Sequence, residues 1–102
     1  MYESRIQNEQ TDLLVRALLS LKDEEECYRL LEDLLTIREV RDLSQRLEVA
    51  VMLREKRTYN EIVEKTGVST ATIGRVNRAL NYGMDGYTTI LNRLQEEDRT
   101  ND

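Results

Sequence analysis

The segment Tyr59-Asn-Glu-Ile-Val-Glu-Lys-Thr-Gly67-Val-Ser-Thr-Ala-Thr-Ile-Gly-Arg-Val-Asn-Arg78 decides how this chain is read. It has the layout of two short helices meeting at a steep angle. A few apolar positions must lock that angle, and Ile62, Val68, Ile73 and Val76 fall where they are needed. Gly67 sits at the turn, where the backbone needs a conformation that side chains resist. Thr58 followed by Glu61 is a capping box for the first helix, and Ser69 or Thr70 opens the second. A helix-turn-helix is therefore expected over about residues 58–81. The residue after Ile62 is usually small in this motif; Val63 is a mild departure.

The outward face of the second helix is predicted to be Ser69, Thr70, Ala71, Thr72, Gly74, Arg75 and Arg78, with Asn77 toward one side. Small hydroxylic residues at its N-terminal end let the backbone approach base edges, and the helix terminus favours a phosphate oxygen. Arg75 and Arg78 suit phosphates, or a guanine. Glycine at position 74 costs a helix about 1 kcal/mol against alanine. Close approach to a groove accounts for that loss, and so does tolerated drift. Between Ser69 and Tyr82 there is no acidic residue, in a chain that holds 20. A plain helical hairpin packed for stability needs neither that gap nor caps on both helices. The pattern points to the major groove of double-stranded DNA.

Working outward, the spacing predicts helices over about 6–21, from Asp23 to about Leu35, and from the Thr36/Glu39 capping box to about Arg54. A last helix is expected over about 87–97. The stretch from Tyr82 to Gly86 is the clearest loop, with Gly83 suited to a left-handed C-cap, and the polar tail from Glu96 is expected to fray. The fold class is all-α, six helices in one domain over residues 1–102. Nearly every helix carries an apolar face, too many for so small a domain to cover alone. A homodimer is expected, sharing a core built from about 6–54 and 87–97.

Composition narrows the function further. Proline is absent and there are only four glycines, as befits a nearly all-helical chain. There is no histidine, which removes the usual zinc sites and His-dependent nucleophiles. No catalytic residue, metal or cofactor is expected, and the chain does not read as an enzyme. The single cysteine, Cys27, reads as a small hydrophobe in a reducing compartment. No apolar run approaches the length of about 20 residues a bilayer needs, so no membrane partner and a cytoplasmic location are expected. Net charge is −5, which at first argues against nucleic acid. Its distribution reverses the argument: residues 1–36 carry −5, residues 37–80 carry +3 and residues 81–102 carry −3. Only charge within about a Debye length matters to a phosphate.

From Leu34 onward the pattern is more specific. Leu34-Leu-Thr-Ile-Arg-Glu-Val-Arg-Asp-Leu-Ser-Gln-Arg46, followed by Ala71-Thr-Ile-Gly-Arg75, resembles the tryptophan repressor family, in particular its YerC/YecD branch. The likeness is strong over about residues 30–82. It implies an intertwined all-α homodimer with two reading heads one helical turn of DNA apart on a palindromic operator. It also implies a candidate effector pocket at Thr36, Arg46, Arg75, Val76 and Ala79. There two arginines sandwich the corepressor ring in the family, and a threonine helps hold its carboxylate. Two positions depart: the family's glycine after the second arginine is Val76, and a serine near the amino group is Ala79. Val76 is expected to fill the space of the ligand, and the lost hydroxyl removes a partner that a buried ammonium needs. A tryptophan response is therefore not expected, although another small effector remains open. Arg46 could equally pair with a carboxylate such as Asp42, and Arg75 with phosphate.

The resemblance places base contacts at Thr70, Ala71 and Thr72. Two family positions that contact DNA from the first motif helix are Asn60 and Val63 here, which points to a different operator. Arg54, Lys56 and Arg57 are candidates for replacement phosphate contacts. The main reading is a dimeric transcriptional repressor; the alternative is a helical dimer whose motif has become a protein-docking face without DNA binding.

Overall fold

The structure is a computed structural model and describes residues 2–100. Six α-helices follow one another: α1 (Glu9–Leu19), α2 (Glu24–Leu34), α3 (Ile37–Arg54), α4 (Tyr59–Thr66), α5 (Thr70–Tyr82) and α6 (Gly86–Thr100). There is no strand among the described residues.

Side chains at the termini set most of these boundaries. Asn8 is extended and accepts from the Thr11 amide at 2.9 Å, while Thr11 Oγ1 accepts from the Asn8 amide at 2.8 Å. This reciprocal cap starts α1 three residues later than the apolar spacing suggests. Ser20 Oγ donates to the Ala17 carbonyl at 2.7 Å at the other end, so α1 stops short of Leu21. Asp23 caps α2 through the Glu26 amide at 2.8 Å. The expected capping boxes of Thr36 with Glu39 and Thr58 with Glu61 are both formed. Ser69, rather than Thr70, caps α5.

Two expectations near the C-terminus fail. Gly83 is not left-handed, having φ −88°. It is needed for a different reason: a Cβ there would lie 2.3 Å from the Ala79 carbonyl oxygen. The left-handed residue of this loop is Asp85, at φ 66°. The tail from Glu96 is helical through Thr100 rather than frayed, since α6 simply continues. Residues 101 and 102 of that tail lie outside the described residues.

The chain divides into two compact units, the first ending at Val40 and the second beginning at Arg41. No described residue of the first unit is buried, although α1 and α2 carry full apolar stripes. Leu13, Leu14, Leu18 and Leu34 are exposed, and Leu19 and Ile37 are about four-fifths so. The second unit has a core. Val49, Ala50 and Met52 of α3, Ile62 of α4, Ile73 and Val76 of α5 and Leu91 of α6 are buried together. Leu53, Val63, Val68, Leu80 and Tyr87 pack against this cluster. Fully burying an Ile side chain contributes about 2–3 kcal/mol, so Ile62 and Ile73 anchor the unit.

The turn between α3 and α4 is held by backbone geometry. The Arg57 amide donates to the Met52 carbonyl and the Lys56 amide to the Leu53 carbonyl, each at 3.0 Å, which is a Schellman closure. The position that closure reserves for a left-handed residue is Lys56, at φ 66°; Gly67 plays the same part after α4 at φ 74°. A lysine is strained there and a glycine is not. Lys56→Gly is therefore expected to stabilise the protein by about 0.5–1 kcal/mol, and Gly67→Ala to destabilise it by about 1 kcal/mol or more. Urea unfolding of both variants checks the pair.

The capping boxes also carry a pH signature. Backbone amide donation from Thr36 and Thr58, reinforced by their hydroxyls, holds Glu39 and Glu61 below the usual glutamate range. Arg57 adds to the effect at Glu61. The folded state therefore prefers both carboxylates ionised. Their contribution is complete above the ordinary glutamate value and is lost as pH falls through the lowered folded values. Melting temperature measured against pH is expected to fall in that acid window, and to fall less steeply in Glu39→Gln/Glu61→Gln.

Candidate nucleic-acid interface

The angle between α4 and α5 is fixed from behind. Ile62, Ile73 and Val76 are buried as the motif requires, and Val68 is half-buried against the same cluster. Val63, larger than usual for its place, also finds room there. Polar contacts add direction: Gln45 Nε2 of α3 donates to the Thr66 carbonyl at 3.3 Å, and Thr66 Oγ1 donates to the Ile62 carbonyl at 2.7 Å. The carbonyl end of α4 is thus tied to α3 just before the turn at Gly67.

With that side packed, the opposite side of α5 faces outward. Ser69, Thr70, Ala71, Arg75 and Arg78 are exposed, and Thr72 and Gly74 are partly so. Asn60 is exposed on α4. Ser69 Oγ accepts from the Thr72 amide at 3.2 Å and donates to Thr72 Oγ1 at 3.1 Å. Arg75 also donates to Thr72 Oγ1, at 3.4 Å. The Thr72 hydroxyl thus accepts twice, leaving its own proton free to be donated. A Cβ built on Gly74 meets nothing within 4 Å, so no packing within the chain demands glycine there.

The ion pairs separate the cations into two groups. Arg57 is shared between Glu55 at 3.7 Å and Glu61 at 3.3 Å, and Arg54 donates to Asn92. Of the three replacement phosphate ligands expected before the motif, only Lys56 has no side-chain partner among the described residues. Arg75, Arg78 and Lys65 have no carboxylate partner among the described residues. Arg46 has none either, so the pairing with Asp42 is not made.

Four of the five candidate effector residues lie in the second unit. Arg46, Arg75, Val76 and Ala79 line one open cleft of about 310 Å³ in the second unit, with Thr72 and Tyr87. Thr36 lies in the first unit, where its hydroxyl accepts from the Glu39 amide at 3.1 Å. Val76 is only 4% exposed and belongs to the core, as its position on the apolar side of α5 predicts. Tyr87 was legible only as one of the apolar residues of α6; its spacing carries no sign that it lines this cleft. No group of Cys, Asp or Glu side chains among the described residues is placed to hold a metal ion. No helix among them is long and apolar enough to cross a membrane.

The sequence and fold are similar to those of known proteins. The profile of the Trp repressor protein family matches residues 9–95. The uncharacterized protein YerC of Bacillus subtilis (strain 168) is 53% identical over 96 residues, covering 94% of this chain and 92% of its own length. Among solved structures, a TrpR-like protein from Eubacterium eligens ATCC 27750 superposes with a TM-score of 0.85 at 56% identity, covering 89% of this chain and 94% of that one. A candidate Trp repressor from Staphylococcus aureus gives 0.84 at 45% identity, covering 89% and 91%. The chain belongs to the Trp repressor family, in its YerC-like part, and is a DNA-binding regulator rather than an enzyme.

Proposed function

We propose that this protein is a transcriptional repressor that binds a palindromic operator as a homodimer, and that it does so without tryptophan. The observation that carries the reading is the exposed face of α5. It holds two arginines with no carboxylate partner among the described residues and a hydroxyl free to donate, has no carboxylate from Ser69 to Tyr82, and rests on a packed motif. Ser69, Thr70, Ala71 and Thr72 meet base edges and the nearest phosphate. Arg75 and Arg78 follow the backbone, with Asn60 on the flanking helix. Gly74 lets the helix sit deep in the groove.

Burial calls for a second copy. The helix-turn-helix buries its own apolar residues, whereas α1 and α2 bury none of theirs. Identical apolar faces on two chains cover one another under two-fold symmetry, which also suits a palindrome. Against tryptophan stand Val76, whose side chain takes the place of the family's glycine in the wall of the cleft, and Ala79, which offers no hydroxyl to an ammonium.

Selection from a random duplex library, repeated with and without amino acids, is expected to return one palindromic site whose recovery tryptophan does not change. Failure to enrich any sequence contradicts the reading, and would favour the protein-docking alternative. On the selected site, Arg78→Ala is expected to weaken all duplexes alike and to reduce the salt slope by about 1 per site lost. Gly74→Ala is expected to raise the melting temperature, since alanine favours helix by about 1 kcal/mol, and yet to weaken binding. If instead it binds as tightly as the wild type, the glycine is drift. Calorimetry with L-tryptophan is expected to show no binding at micromolar concentrations; saturable heat in that range contradicts the second half of the proposal.

A further inference from the structure

Three polar side chains in the second unit form a chain of hydrogen bonds that the outward face of α5 does not include. Asn81 Nδ2 donates to the Asn77 backbone carbonyl and to Asn77 Oδ1, both at 2.9 Å. Asn77 Nδ2 donates to Tyr59 Oη at 3.4 Å. Asn77 and Asn81 are one turn apart on α5, and Tyr59 is the first residue of α4. The relay therefore links the two helices of the motif.

Its direction is fixed by chemistry. A carbonyl only accepts, so the atom of Asn81 that meets the Asn77 backbone oxygen has to be its amide nitrogen. The same nitrogen faces the Asn77 side chain, which must then present its own oxygen. That turns the Asn77 amide nitrogen toward Tyr59, so the phenol oxygen accepts. A phenol has a single proton, and accepting leaves it available. No acceptor for it exists among the described residues, and Tyr59 is 38% exposed. Three groups in series thus end in one O–H donor held at the start of α4, beside a helix face that carries no carboxylate.

We infer that Tyr59 donates to a non-bridging phosphate oxygen of the duplex, and that Asn77 and Asn81 are the positioning residues that aim it. This deepens the proposed DNA binding and rests on it. A neutral donor adds a hydrogen bond to a charged acceptor but displaces no counterion, in contrast to Arg78. Removing it lowers affinity equally at every salt concentration.

The test measures binding of the full chain to its selected duplex and to an unrelated duplex across a salt series, together with melting temperature without DNA. Tyr59→Phe is expected to weaken both duplexes about tenfold with an unchanged salt slope and an unchanged melting temperature. Asn77→Ala is expected to give the same loss, and Tyr59→Phe/Asn77→Ala no more than either alone. Wild-type affinity in Tyr59→Phe overturns the inference while leaving DNA binding intact. So does a loss that merely tracks a lower melting temperature. A wild-type protein that binds neither duplex removes the DNA reading itself, and this inference with it.

Discussion

A helix that reads a groove has to be held rigid before it arrives, because any freedom it loses on binding is subtracted from affinity. Here that rigidity comes from the packing of Val49, Ile62 and Ile73, none of which retains any exposure. These residues of α3, α4 and α5 belong to one buried cluster with Val76 and Leu91. Everything on the outer side of α5 depends on this contact. The hydroxyls of Ser69 and Thr72 and the two arginines are useful only if the helix cannot roll.

Polar devices trim what the apolar contact leaves soft. Capping boxes fix where α3 and α4 begin, a Schellman closure bends the chain between them, and Gln45 ties α3 to the end of α4. Charge is managed just as locally. The chain is acidic overall, yet two carboxylates close to the motif are engaged: Glu61 in a cap and with Arg57, and Glu55 with Arg57. The arginines of α5 are left unneutralised, so the local field there opposes the net charge of the molecule.

Much of this was readable in the residues themselves, because it rests on local signals. The turn at Gly67, the boxes at Thr36 and Thr58, and the buried positions of Ile62, Ile73 and Val76 follow from spacing and need no tertiary information. The misses share a different cause. Apolar spacing does not register that Asn8 and Thr11 cap one another, so it overstates the length of α1. A glycine at position 83 suggests a left-handed backbone, whereas its need is clearance from the Ala79 carbonyl. Lys56 took a left-handed place that composition reserves for glycine. In the candidate site, Tyr87 joined the cleft of Arg46 and Arg75 through helix packing between α5 and α6, which no motif encodes. The link from Asn77 to Tyr59 spans 18 positions and was equally invisible.

The bare apolar faces of the first unit and the packed interior of the second describe a division of labour. One part of the chain buries its own apolar residues, and the other leaves an apolar surface that the proposed second copy would cover. The central claim is that two such heads are presented together at the pitch of B-form DNA. It is tested most directly by placing the selected half-sites on opposite faces of the duplex, with an insertion of about half a helical turn between them, and measuring affinity and chains bound. The account predicts two chains per duplex at the natural spacing and loss of that tight complex after the insertion, with a full-turn insertion less harmful than a half-turn. Indifference to the spacing, or one chain saturating the duplex, would contradict it.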